Sequence, residues 1–265
     1  MTLQNTPPRA LPTPHTQTLE DYLIYLKHLA LYKFVASYTA RKRVLDLGCG
    51  EGYGSDALAH TARLIVAADR DAAGIGRARQ KYTRANLAFV VCDAQALPFR
   101  AASFEAVVSF GMIAHIPNAR KYLEEIKRVN AAAGVAIIST PNRVLRLLPF
   151  QQLWHRSCLR EYAARDLARV VGAVFPRTQL CGITATSAVL EIEKRRVRPS
   201  SFVAYPKMLA HMIVPTSWLN QIKARLPRPA AARAEPFDAT KFAVDDFSVV
   251  DDGSATWLNL IAISR

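Results

Sequence analysis

Between residues 43 and 142, five short and continuous apolar runs alternate with stretches whose apolar residues recur at helical spacing. The runs are Arg43 to Leu47, Leu64 to Ala68, Leu87 to Cys92, Ala106 to Phe110 and Val135 to Ser139. Between them, Ser55 to Ala62, Ala72 to Tyr82 and Arg120 to Val129 have the spacing of helices. A strand that is apolar on both sides needs cover on both faces, so this alternation predicts a parallel sheet between two layers of helix. Around this core, Leu19 to Tyr38 and Arg160 to Val174 are expected as helices. Thr178 to Ile183 is expected as a sixth strand and Trp257 to Ser264 as a seventh. Thr18 with Asp21 has the spacing of an N-cap for the first helix.

Composition narrows the class. The chain has 265 residues, 51% hydrophobic, with mean hydropathy +0.05, which excludes a disordered or collagen-like polymer. No apolar run reaches the roughly 18 residues that a membrane span requires. The first eighteen residues are rich in Pro and Thr and lack an apolar stretch of the kind that marks a secretory signal, so a cytoplasmic location is expected. Cys49, Cys92, Cys158 and Cys181 are far apart with no C-x-x-C pair. This suits reduced thiols rather than a zinc site or a disulfide framework.

The net charge of +14 is unevenly distributed. Residues 44–142 are close to neutral, with 11 basic and 9 acidic residues, whereas residues 143–234 carry 16 basic and 4 acidic ones. The basic excess therefore belongs to a specialised segment rather than to the βα repeat. Three domains are expected: a flexible arm at 1–18, a domain carrying the βα repeat at 19–185 plus 255–265, and a basic cap at 186–254.

The stretch Asp46-Leu47-Gly48-Cys49-Gly50-Glu51-Gly52 follows the first strand. Glycines at a strand-to-helix turn let a ligand approach the backbone closely. A dinucleotide fingerprint requires G-x-G-x-x-G, and the third position is Tyr53 or Ser55, depending on where the pattern starts. The run D-x-G-x-G-x-G instead resembles the first motif of class I S-adenosylmethionine-dependent methyltransferases. Asp69 ends the second strand with Arg70 beside it, Cys92-Asp93-Ala94 ends the third and Phe110 the fourth. Leu97-Pro98-Phe99, Ser139-Thr140-Pro141-Asn142, His155, Glu161-Tyr162 and Cys181-Gly182 are similar to the type 11 small-molecule branch.

The resemblance implies a Rossmann-like α/β fold with a seven-stranded, mostly parallel sheet, and S-adenosyl-L-methionine as cofactor. It also implies cofactor contacts from Asp46, Gly48, Gly50, Asp69, Arg70, Asp93, Ala94 and Phe110. Asp69 would take the ribose hydroxyls, and Asp93 with the Ala94 backbone would read the adenine. His115, just past the fourth strand, is the candidate general base for a hydroxyl acceptor, its alternative being to pack the Pro117-Asn118 turn. The stretch Gly111-Met112-Ile113-Ala114-His115 has no carboxylate, so no metal site is expected. Gly134 is expected in a turn before the fifth strand. Tyr22, Tyr25 and Tyr32 on the first helix are candidates to line the acceptor site.

The expected activity is methyl transfer to an oxygen, in preference to a nitrogen, of a small-molecule or sugar-type acceptor. The basic segment is open to three readings: a solvated lid, a phosphate-binding cover for an anionic or sugar-linked acceptor, or a peripheral membrane contact. Pro199, Pro206 and Pro215 interrupt any long amphipathic helix there. An RNA-directed enzyme and a catalytically silent cofactor-binding protein are the alternatives. The former is disfavoured because the fourth strand ends in Ser-Phe-Gly-Met rather than an N-P-P-Y type tetrapeptide. The sequence does not set the oligomeric state.

Overall fold

The computed structural model describes residues 18–146, 158–197, 237–253 and 256–265. Residues 1–17 of the N-terminal arm, His155 and residues 198–236 of the expected basic cap lie outside them.

The described residues form one eight-stranded sheet with helices on both faces, the strand order being β3-β2-β1-β4-β5-β8-β6-β7. β1 (Arg43–Leu47) pairs in parallel with β2 (Leu64–Asp69) on one side and β4 (Phe104–Phe110) on the other. β3 (Leu87–Val91) and β5 (Asn130–Pro141) continue the parallel sheet outward. β8 (Asn259–Ser264) runs antiparallel to both β5 and β6 (Thr178–Ala185), so β6 points the same way as the first five strands. The chain order reverses direction beside β1, and the carboxyl ends of β1, β2 and β4 meet there. In open α/β sheets this crevice is where ligands bind.

Each face is sealed by the residues that the apolar periodicity marks out. α1 (Leu19–Thr39) buries Leu23, Leu26, Ala30, Leu31 and Val35 at the i, i+3, i+4 spacing of one helix face. Thr18 caps it, accepting from the Asp21 N–H at 3.1 Å and donating to the Asp21 carboxylate at 2.8 Å. With α1 on that face are α2 (Tyr53–Ala59), α3 (Ala72–Lys81), the single turn α5 (Arg143–Arg146) and α7 (Ser187–Val197). α4 (Ala119–Val129) and α6 (Ala164–Gly172) cover the other, centred on Tyr122, Leu123, Ile126, Leu167 and Val171. A buried ion pair, Lys27 with Glu193 at 3.7 Å, joins α1 to α7.

The structure differs from the sequence expectations in four places. An eighth strand, β7 (Phe247–Val250), pairs antiparallel with β6 at the sheet edge, where seven strands were expected. It is only four residues long, which left it inside the expected cap. Residues 130–134 extend β5 through a register shift opposite Phe104 and Ala106 instead of forming a turn. Gly134 serves that shift, because a Cβ there would stand 2.3 Å from the Asn130 Oδ1. The helix expected from Arg160 begins at Ala164, because residues 159–162 are held extended. The Leu159 N–H donates to the Ala114 carbonyl at 2.8 Å, and Tyr162 bridges Asn142. Finally, Trp257 precedes the last strand and lays its ring over β6, where a Cβ on Gly182 would be 2.0 Å away.

Candidate functional site

The loop after β1 is shaped by three glycines with positive φ, Gly48 (+85°), Gly50 (+54°) and Gly52 (+79°). Each serves a different need. Gly48 hydrogen-bonds the Ala68 carbonyl of β2 at 2.7 Å and lies under Met112, whose Sδ would be 2.6 Å from a Cβ at this position. Gly52 opens α2 against the Phe89 ring. Nothing lies within 4 Å of where a Gly50 Cβ would project. This is the open side of the loop, and there the backbone can meet a ligand directly.

Two carboxylates hold the loop from different sides. Asp69, at the end of β2, accepts from the Gly50 N–H on Oδ2 at 2.9 Å and from the Asp71 N–H on Oδ1 at 3.0 Å. Each oxygen keeps a further lone pair, and the residue is only half-buried, so it remains able to accept from a pair of ligand hydroxyls. Asp46 is fully buried. It accepts from the Ser55 hydroxyl at 2.6 Å and from the Tyr32 hydroxyl at 3.1 Å. Burial raises its pKa to about 6, opposed by the hydrogen bonds from Ser55 and Tyr32 and assisted by the nearby charge of Asp69.

α1 closes over this loop. The Tyr32 ring packs edge-on against Phe110 and Tyr53, with centroids 4.9 and 6.1 Å away. It sits so close to Gly54 that a Cβ there would meet ring carbons at 2.0 Å. One turn earlier, His28 Nδ1 and the Tyr53 hydroxyl are 2.9 Å apart. Burial pushes His28 down to about 4, with Lys27 contributing, so its imidazole is neutral at pH 7. Tyr25 lies edge-on to Tyr53, while Tyr22 is a core residue against Phe237.

Asp93 is exposed, its Oδ1 accepting from the Gln95 N–H at 2.9 Å, and Ala94 beside it is buried. β3 and β2 are neighbours, and the Cys92 N–H donates to the Asp69 carbonyl at 3.0 Å, so these strand ends adjoin. Arg70 is exposed. Beyond Phe110 the chain makes a 3-10 turn, Met112–His115, anchored by the Gly111 N–H on the Ser139 carbonyl at 2.8 Å. Met112 abuts the glycine loop. Half-buried His115 ends the turn, its Nε2 3.8 Å from the Cys158 Sγ.

Asp46, Gly48, Gly50, Asp69 and Phe110 therefore share one connected arrangement, with Asp93 at the adjoining strand end and His115 on the turn that touches the loop. Sequence reasoning did not single out Ser55, Met112 or Cys158. It also gave Tyr32 to the acceptor rather than to Asp46. The spacing of Tyr25, His28 and Tyr32 along one side of α1 was the available signal.

Known proteins resemble the chain in sequence and in fold. Residues 45–138 match the family model described as a methyltransferase domain. The chain is 29% identical over 272 residues to a Mycolicibacterium smegmatis protein named "Probable S-adenosylmethionine-dependent methyltransferase", covering 98% of this chain and 97% of that one. A fatty-acid O-methyltransferase of the same organism is 34% identical over 130 residues, and there the chain spans less than half (46%) of its relative. Among solved structures, an S-adenosylmethionine-dependent methyltransferase of Thermotoga maritima superposes with a TM-score of 0.57 at 12% identity. That match covers 92% of this chain and 89% of the other, and shows a shared fold. That fold, that family model and those relatives support an S-adenosylmethionine-dependent methyltransferase, with S-adenosylmethionine as cofactor, similar to the class I enzymes of the type 11 branch.

Proposed function

We propose that the enzyme methylates an oxygen of a small-molecule acceptor with an apolar, lipid-type body, and that the glycine loop holds the cofactor. The observation that carries the acceptor class is the edge around His115. Exposed Val144 and Leu159 lie on two segments joined there through Asn142 and Tyr162, and Leu159 hangs from Ala114 beside His115. The name of the fatty-acid O-methyltransferase relative supports the same class. Arg143 and Arg160 on these segments are exposed and would suit an anionic group on the acceptor.

The residues fit the cofactor. The open face of Gly50 admits close backbone approach, the spare acceptor capacity of Asp69 suits vicinal hydroxyls, and Asp93 with the Ala94 N–H suits an adenine edge. When bound, the cofactor supplies an electrophilic methyl group on a sulfonium. The protein's part is alignment of the acceptor and removal of its proton, for which His115 is the candidate base. The test is release of S-adenosylhomocysteine across a panel of fatty acids, hydroxylated lipids, glycosides, nucleotide sugars and phenols. Turnover with lipid acids or alcohols is expected. Turnover confined to nucleotide sugars would overturn the lipid class.

A further inference from the structure

Asp46 is a fully buried carboxylate to which no described lysine or arginine is paired. The groups that face it come from four directions: Tyr32 on α1, Ser55 and Tyr53 on α2, Cys49 in the glycine loop, and Asp69 at the end of β2. All are neutral or, in the case of Asp69, negative. A carboxylate buried without a counter-charge is costly to ionise, and a cationic ligand beside it supplies what the protein lacks. The family's cofactor carries two cationic centres, a sulfonium and an ammonium.

We infer that Tyr32 is a positioning residue for cofactor capture: its hydroxyl donates to both Asp46 carboxylate oxygens and its ring clamps Gly54, so that affinity for the cationic cofactor requires α1 to be docked. The geometry is specific to this pair. The hydroxyl reaches both carboxylate oxygens, at 3.1 and 3.3 Å, and the same ring fills the space that a side chain at Gly54 would occupy. A donor aimed at the charged form favours that form, and Asp46 titrates near neutrality, at about 6, so a change in donor number is visible in the accessible pH range. Tyr32 thus acts through Asp46. This inference rests on the glycine loop being the cofactor site.

The experiment is calorimetric titration of S-adenosylmethionine from pH 5.5 to 8.5 with the wild type, Tyr32→Phe and, as a control on the site, Asp69→Ala. Wild-type affinity is expected to rise with pH as Asp46 ionises. Loss of a hydrogen bond to a charged group should move that rise up by about one pH unit in Tyr32→Phe. The variant should therefore bind about 5-fold more weakly at pH 6 and approach the wild type at pH 8.5. Titration of the ligand's own amine is common to both proteins and drops out of the comparison. A weakening that is the same at every pH would make Tyr32 a packing residue only and would overturn the inference. If Asp69→Ala binds as tightly as the wild type, the loop is not the cofactor site. If Asp69→Ala weakens binding while Tyr32→Phe leaves the profile unmoved, the role of Tyr32 alone fails. Should Tyr32→Phe not fold, 3-fluorotyrosine at position 32 keeps the shape and strengthens the donor. The rise should then move to lower pH, and an unmoved profile overturns the inference.

Discussion

Gly48 and Met112 are in contact across the site: a Cβ on Gly48 would stand 2.6 Å from the Met112 sulfur. This close approach couples the β1 loop to the turn that carries His115. Gly48→Ala should lose about 1–2 kcal/mol from the left-handed backbone and about 1–3 kcal/mol more from displacing Met112. Denaturant unfolding of Gly48→Ala, Met112→Ala and the double variant checks this. Met112→Ala should restore only the crowding part of the loss, giving a non-additive cycle.

Gly50 and Gly54 should both lose stability on substitution by alanine, for different reasons. Gly50 has positive φ and open space beyond it, so Gly50→Ala should cost about 1–2 kcal/mol in stability and disproportionately weaken binding of S-adenosylmethionine. Gly54 faces the Tyr32 ring, so Gly54→Ala should push α1 away, and truncating Tyr32 as well should recover part of the stability. Thermal unfolding with and without the cofactor separates the two effects.

Asp46 should set part of the pH dependence of stability. Its carboxyl is raised to about 6 in the fold and is ordinary when unfolded. Below about pH 4 it is protonated in both states and costs nothing. As pH rises to 6 the unfolded form ionises first, so stability falls, by about 3 kcal/mol in full. His28, lowered to about 4, acts the other way: its contribution falls as pH drops from 6.5. The difference in melting temperature between the wild type and Asp46→Asn isolates the carboxyl, and it should move against the wild type by several degrees between pH 4 and 7.

The parallel core was legible because its strands are continuous apolar runs and their carboxyl ends carry Gly48, Asp69, Asp93 and Phe110. The edge was harder to recognise. Phe247–Val250 is too short to show a period, and Asn130–Gly134 is held as strand by pairing across a bulge rather than by its own propensity. The Tyr32 bond to Asp46 joins residues fourteen apart on different elements, and only the packing of α1 over the loop brings them together.

His115 ends the turn beyond β4, on the chain that touches the glycine loop through Met112. His115→Ala should bind S-adenosylmethionine normally and slow transfer to the accepted substrate by about 10²–10⁴-fold if the imidazole is the base. Full turnover across the pH range in the variant would remove that role.

Capture of S-adenosylmethionine by the loop after β1 is tested most directly by calorimetry with that cofactor and with NAD on the wild type and Asp69→Ala. The wild type should bind S-adenosylmethionine and not NAD, and Asp69→Ala should bind it at least about 10-fold more weakly, as expected for losing charge-assisted hydrogen bonds to two hydroxyls. Equal affinity in the variant, or NAD binding in place of the sulfonium cofactor, would contradict the site.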